Sequence, residues 1–168
     1  MVLDTSAFLA GYDPFSVNES QVTVPSVEEE LRTNSITWVR FKTAAENGKI
    51  KIKTPTEECW KKAKASANMV GDSFFLSETD TQLLALALEF KAEGFNPQIV
   101  TDDYSIQNVA TQMGIEFASL ATFGIRRLLE WMRYCPACHT EYPADYGSTM
   151  CTVCGTELKR KPRRTAKT

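Results

Sequence analysis

Histidine occurs once in these 168 residues, at His139, so a histidine-centred catalytic site in the first 134 residues is excluded. Long apolar runs are also missing. None approaches the ~20 residues that a bilayer span needs, and the opening MVLDTSAFL carries an acidic Asp4 that does not suit a signal peptide. The expectation is a soluble, cytoplasmic protein with no membrane partner. Extremes of composition are absent too: 43% hydrophobic and 24% charged residues exclude a disordered or fibrous chain.

A chain of this length fits one main domain of roughly 100–150 residues and a small extra module. The formal charge of −2 conceals a division. Residues 1–125 hold 10 Lys+Arg against 17 Asp+Glu, a net of −7, whereas residues 126–168 hold 9 against 4, a net of +5. An acidic body with a basic end suggests cations bound by the one and an anionic polymer by the other. Four of the five cysteines fall between Cys135 and Cys154. The expected organisation is a body over 1–122, a linker helix over 123–134, a cysteine module over 135–158 and a basic flexible tail over 159–168. No internal repeat is evident.

Within the body, short apolar or β-branched runs alternate with helical patterns, which predicts an α/β fold with a mostly parallel sheet. Strands are expected at Met1–Asp4, Val22–Val24, Ile50–Ile52, Pro97–Thr101 and Ile115–Ala118. Helices are expected at Ser26–Thr33, Trp38–Glu46, Glu57–Val70, Asp80–Glu93 and Tyr104–Met113. The fourth has the clearest signals: Ser77-x-x-Asp80 has the form of a capping box and Gly94 closes the helix.

The acids gain meaning from these elements. The crevice of a parallel α/β sheet lies at the carboxyl ends of its strands. Asp4 ends the first strand, Asp102 and Asp103 follow PQIVT, Asp80 opens a helix, and Glu30 lies on the helix after VTVP. Carboxylates gathered there would repel one another unless a divalent cation neutralised them. All-oxygen ligation suits Mg²⁺ or Mn²⁺, and the chemistry those ions support is phosphodiester hydrolysis. Taken singly, Asp80, Asp102 and Asp103 could equally be helix caps or turn residues. Glu28, Glu29 and Glu30 are adjacent and cannot share one helix face.

Cys135-Pro-Ala-Cys138 and Cys151-Thr-Val-Cys154, twelve residues apart, have the spacing of a tetrahedral structural Zn²⁺ site. Disulfides are the lesser alternative, given no secretory signature. A module this short would owe much of its folding free energy to the metal. His139 directly follows Cys138, poor spacing for a ligand, and Cys59 reads as a small buried hydrophobe.

VLDTSAFL, VPSVEEEL, LSETDTQLLALA and VTDDYSIQNVA, in that order, resemble the motifs of PIN-domain ribonucleases over nearly all of residues 1–122. With the cysteine module behind them, the chain is similar to the archaeal Nin-one-binding protein family, endonucleases that mature the 3′ end of small-subunit ribosomal RNA. The resemblance implies a PIN-like three-layer sandwich with a C-terminal zinc ribbon, acting as a metal-dependent endoribonuclease on precursor small-subunit ribosomal RNA. Its partners would be the pre-ribosomal small subunit and its assembly factors. Asp4, Glu30 and Asp80 match the family's acids. Asp103 fits its T-x-D pattern while the doubled acid leaves Asp102 open, and Thr5, Ser6 and Thr101 match polar positions beside the metal. The alternatives are a catalytically silent RNA-binding assembly factor and a toxin-type PIN ribonuclease.

Overall fold

The computed structural model describes residues 1–125 and 128–163. Its body alternates strand and helix: β1 Val2–Leu3, α1 Thr5–Leu9, β2 Gln21–Thr23, α2 Pro25–Leu31, α3 Ser35–Glu46, β3 Ile50–Ile52, α4 Glu57–Val70, α5 Glu78–Ala92, β4 Gln98–Val100, α6 Tyr104–Gln112 and β5 Glu116–Ala118. The strands pair in the order β3-β2-β1-β4-β5, all parallel. Right-handed crossovers explain the layering. Moving outward from β1 to β3, the chain lays α1, α2 and α3 together; returning to β4 and on to β5, it gathers α4, α5 and α6. The strand order therefore reverses between β1 and β4, and a parallel sheet opens its crevice at that point.

Local sequence explains the elements. Pro25 occupies the first turn of α2, where its missing N–H costs nothing. Ser77 and Asp80 form the reciprocal capping box of α5. The apolar run that follows buries Leu83, Leu84, Ala85, Leu86 and Ala87 completely, because α5 packs on both the sheet and α4. Each buried leucine contributes about 1.5–3 kcal/mol. Cys59 is buried on α4. The short α1 was not expected from sequence: with five residues it has no period to read, and its signal is the Asp4 N-cap, whose carboxylate accepts the Thr5 N–H at 2.7 Å.

The C-terminal part departs further from expectation. The helix expected over 123–134 is not formed by the described residues: Trp131–Tyr134 is strand β6. Residues expected as tail supply β8, Lys159–Pro162, antiparallel to β6, while β7, Glu141–Tyr142, pairs on its other side. Two contacts override the helical composition of LLEWMRY. The Asn108 side chain accepts the Leu129 N–H and donates to its C=O, both at 2.7 Å, taking the bonds a helix would use. Four ladder pairs with β8 then fix Trp131–Tyr134 as extended chain. Residues 164–168 of the expected tail lie outside the described residues.

A repeat missed in the sequence also emerges. Cys135 N–H donates to Thr140 C=O and Cys151 N–H to Thr156 C=O; His139 N–H donates to Cys135 C=O and Gly155 N–H to Cys151 C=O. C-x-x-C-H-T-E and C-x-x-C-G-T-E are thus two copies of one knuckle, obscured by the different lengths of chain after each.

Candidate active site

Asp4 follows β1 and Thr101 follows β4, so the reversal of strand order places them side by side. The Asp4 N–H donates to Val100 C=O at 3.1 Å. Its carboxylate accepts from the Thr5 N–H, from the Ser6 hydroxyl at 2.5 Å and from the Thr101 hydroxyl at 2.8 Å. Burial pushes the Asp4 carboxyl up from its ordinary value, and these hydrogen bonds only partly offset that. Thr5 turns its hydroxyl to Glu30, donating at 2.6 Å, which ties the α2 acid to the first-strand acid through one residue.

Burial raises the Asp80 carboxyl first; hydrogen bonds from Ser77 oppose this, and repulsion from Asp4 and Asp103 adds to it. Asp80 thus feels the charge of two acids from separate segments, Asp4 and Asp103. Asp103 is exposed and caps α6, accepting from the Ser105 N–H at 2.6 Å and the Ile106 N–H at 3.3 Å. The capping role expected of each is therefore present, Asp80 in the capping box of α5 and Asp103 as the N-cap of α6.

Asp102 behaves differently. Its carboxylate turns to the chain after β5, accepting from the backbone N–H of Leu120, Ala121 and Thr122 at 3.1, 3.0 and 2.9 Å and from the Thr122 hydroxyl at 3.1 Å. Burial opposes its ionisation, yet the donors, led by the Thr122 N–H, outweigh it and hold the carboxyl below its ordinary value. Its own N–H donates to Ser6 Oγ at 3.0 Å.

Asp4, Glu30, Asp80 and Asp103 offer only hard oxygen donors, and among the described residues none of them forms an ion pair with Lys or Arg. A divalent cation fits such an uncompensated set. Their oxygens do not converge as the cysteine sulfurs do. Each is held by a backbone or hydroxyl donor, Asp4 buried and Glu30 and Asp103 exposed, an arrangement that suits an ion retaining water molecules between itself and some of the carboxylates.

A second candidate metal site lies in the cysteine module. The Sγ atoms of Cys135, Cys138, Cys151 and Cys154 all lie within 4.8 Å of one another, with Cys135–Cys154 at 3.4 Å and Cys138–Cys151 at 3.5 Å. These separations exclude disulfides and approach the ~3.8 Å edge of a thiolate tetrahedron with metal–sulfur bonds of about 2.3 Å. The Tyr142 hydroxyl, 3.1 Å from Cys151 Sγ, acts with the backbone donors of Cys154 and Val153 against burial and brings the Cys151 thiol down to about 6. His139 is exposed and takes no part in this cluster.

Three residues that sequence reasoning left out organise the surroundings: Asp72, Gln107 and Asn108, all buried. Gln107 donates to Thr101 C=O at 3.0 Å and accepts from the Ile125 N–H at 2.9 Å. Adjacent amides amid the apolar side chains of α6 were the available signal.

Comparison with known proteins agrees with this geometry. The family described as PIN domain of ribonuclease matches residues 1–90. The chain is 37% identical to endoribonuclease Nob1 of Methanothermobacter thermautotrophicus, over 97% of this chain and 93% of that one. It is 33% identical to endoribonuclease Nob1 of Pyrococcus abyssi, over 98% and 94%. A shorter similarity, 37% over 66% of this chain and 54% of the other, joins it to ribonuclease VapC1 of Thermoplasma acidophilum. With a nuclease-type acidic edge at the sheet reversal, a four-cysteine module behind it and relatives matched along both, the chain belongs to the Nob1 family of PIN-domain endoribonucleases.

Proposed function

We propose that this endoribonuclease cleaves precursor small-subunit ribosomal RNA near its mature 3′ end, in the cytoplasm and on the pre-ribosomal small subunit with its assembly factors. The observation that carries the reading is the pairing of an acidic, cation-suited edge with a basic, four-cysteine module. An enzyme that only had to cut needs no such module, whereas one that must find a site in a folded RNA does. Relatives named endoribonuclease Nob1 match the chain through that module, which favours this reading over the toxin-type one.

Asp4, Glu30, Asp80 and Asp103 would hold Mg²⁺ or Mn²⁺, with Asp102 as a further candidate, and Cys135, Cys138, Cys151 and Cys154 would hold structural Zn²⁺. When bound, the hard cation supplies Lewis-acid activation of water and neutralises charge on the phosphoryl oxygens. The chain's own part is positioning. Ser6 and Thr101 donate to Asp4 and fix its carboxylate, Thr5 holds Glu30, and the caps of α5 and α6 aim Asp80 and Asp103. The body over 1–122 cuts, and the ribbon positions the RNA.

Incubating the purified protein with small-subunit precursor RNA and Mn²⁺, beside Asp4→Asn, tests this. Cleavage at one site near the 3′ end, reduced by orders of magnitude in the variant, is the expected result. Equal rates for the two proteins would sink the mechanism, and indiscriminate cutting would sink the substrate assignment.

A further inference from the structure

The chain from Ser119 to Ile125 lies between two sheets and belongs to neither, yet side chains hold its backbone. Asp102 gathers the N–H groups of Leu120, Ala121 and Thr122. Gln107, fully buried, accepts from the Ile125 N–H and donates to Ser119 Oγ at 3.1 Å. Between these two clamps stands Phe123, 98% exposed. A lone apolar residue on a loose loop tip would mean little. One whose flanking backbone is fixed from inside the body can bind without paying to order its loop.

Its position is equally specific. Ser6 Oγ donates to Asp4 and accepts the N–H of Asp102, and Asp102 holds Thr122, the residue before Phe123. The backbone beside the aromatic ring is therefore tied to Asp4 through three residues, Ser6, Asp102 and Thr122. Electrostatics supplies the remaining reason. Residues 1–125 carry a net of −7, so the body as a whole offers phosphate little attraction away from a bound cation, and a contact that does not depend on charge adds to the hold on an RNA strand there. A base offers such a contact through its π-face.

We propose that Phe123 stacks on an unpaired base flanking the scissile phosphodiester and so sets the strand against the acids; this rests on the endoribonuclease reading above. The contact tolerates any base, since every base has a π-face. It deals with placement of the strand rather than with choice of sequence.

The test uses the full-length, zinc-loaded protein and a short single-stranded RNA spanning the cleavage site, with 2-aminopurine moved along it position by position. Fluorescence is read on mixing, before cleavage. Wild type should quench the probe at one position beside the cut. Phe123→Ala should lose that quenching and raise KM about tenfold, or about 1.4 kcal/mol, with kcat and the thermal midpoint little changed; Phe123→Trp should keep both quenching and KM. If Phe123→Ala quenches and cuts as wild type does, the inference fails alone, and the ring is left for a protein partner. Full retention in Phe123→Leu would mean apolar contact without stacking and overturns it too. A wild type that neither binds nor cuts RNA overturns the endoribonuclease reading and this inference with it.

Discussion

Arg160 Nη1 donates to Asp72 Oδ1 at 3.1 Å across 88 residues of sequence, joining a strand of the three-stranded sheet to the turn after α4. Asp72 is 1% exposed, and its other oxygen accepts from Asn108 at 2.6 Å. The guanidinium lies 3.7 Å from the Phe75 ring centroid and 4.1 Å from that of Trp131. Gly71 shows how close the two parts come: with φ at 78°, a Cβ there would fall 2.6 Å from Ala144 Cβ and 2.9 Å from the Trp131 carbonyl. A basic residue that sequence assigns to an RNA-binding tail is thus a structural lock, and it fixes the ribbon relative to the nuclease edge.

Arg160→Met should therefore destabilise the protein by about 3 kcal/mol, because it strands a buried carboxylate. The pH dependence identifies the cause. Burial already raises the Asp72 carboxyl above its ordinary value, despite help from Asn108 and Arg160. A carboxyl raised on folding binds its proton more tightly when folded, so its ionisation costs stability. That cost is absent below the ordinary carboxylate value and complete above the folded one. Without Arg160 the folded value climbs further, and the deficit of the variant should be largest at neutral pH and shrink on acidification. Urea denaturation at neutral and mildly acidic pH decides it; an equal deficit at both would show that the ion pair is not the cause.

The doubled acid gives a second contrast. Asp103 repels Asp80, whereas the Asp102 carboxylate is engaged by the chain after β5, so Asp103→Asn should lower cleavage far more than Asp102→Asn, with little effect on stability. Asp102→Ala should instead cost about 2 kcal/mol through the loop it anchors. Its carboxyl is held below its ordinary value, so its contribution is present above that value and lost as pH falls through the lower, folded one. Wild type and Asp102→Ala should converge in acid titrations. Equal cleavage by Asp103→Asn and wild type would return the site to Asp102.

The body was legible because its signals are local. Caps, glycine stops and the alternation of apolar runs placed five strands and five of the six helices, and Asp4 and Thr101 lie side by side because a parallel sheet sends its strand ends to one edge. What sequence could not show depends on tertiary partners. Trp131–Tyr134 has helix-compatible residues and becomes a strand because Asn108 holds Leu129 and β7 and β8 pair with it, and Asp102 gains its backbone donors only when the chain after β5 closes on it.

The paired knuckles supply a further test. His139 and Gly155 occupy equivalent positions, and His139 has φ 61°, the left-handed conformation that disfavours a side chain. His139→Gly should stabilise the metal-loaded protein by about 0.5–1 kcal/mol, read from the chelator concentration or temperature at which the cysteine module melts. A loss of stability would show that the imidazole makes a contact worth more than the strain.

Deleting residues 159–168 would be the obvious test of a basic RNA-binding end, but it removes β8 and Arg160, so weaker binding would report a broken seam. Ending the chain after Arg163 is cleaner. It keeps β8, the Arg160 lock and the Arg163 N–H bond to Glu130 C=O at 2.7 Å, while removing two positive charges, Arg164 and Lys167. The thermal midpoint should not move. On single-stranded RNA each phosphate contact contributes about 0.7 to the slope of log K against log salt, so the slope should flatten by about 1.4. An unchanged slope would place the phosphate contacts upstream, where Lys159 and Lys161 on β8 are the basic side chains to replace next. Lys161 is already paired with Glu141 at 2.7 Å, so Lys159→Ala should then flatten the slope more than Lys161→Ala.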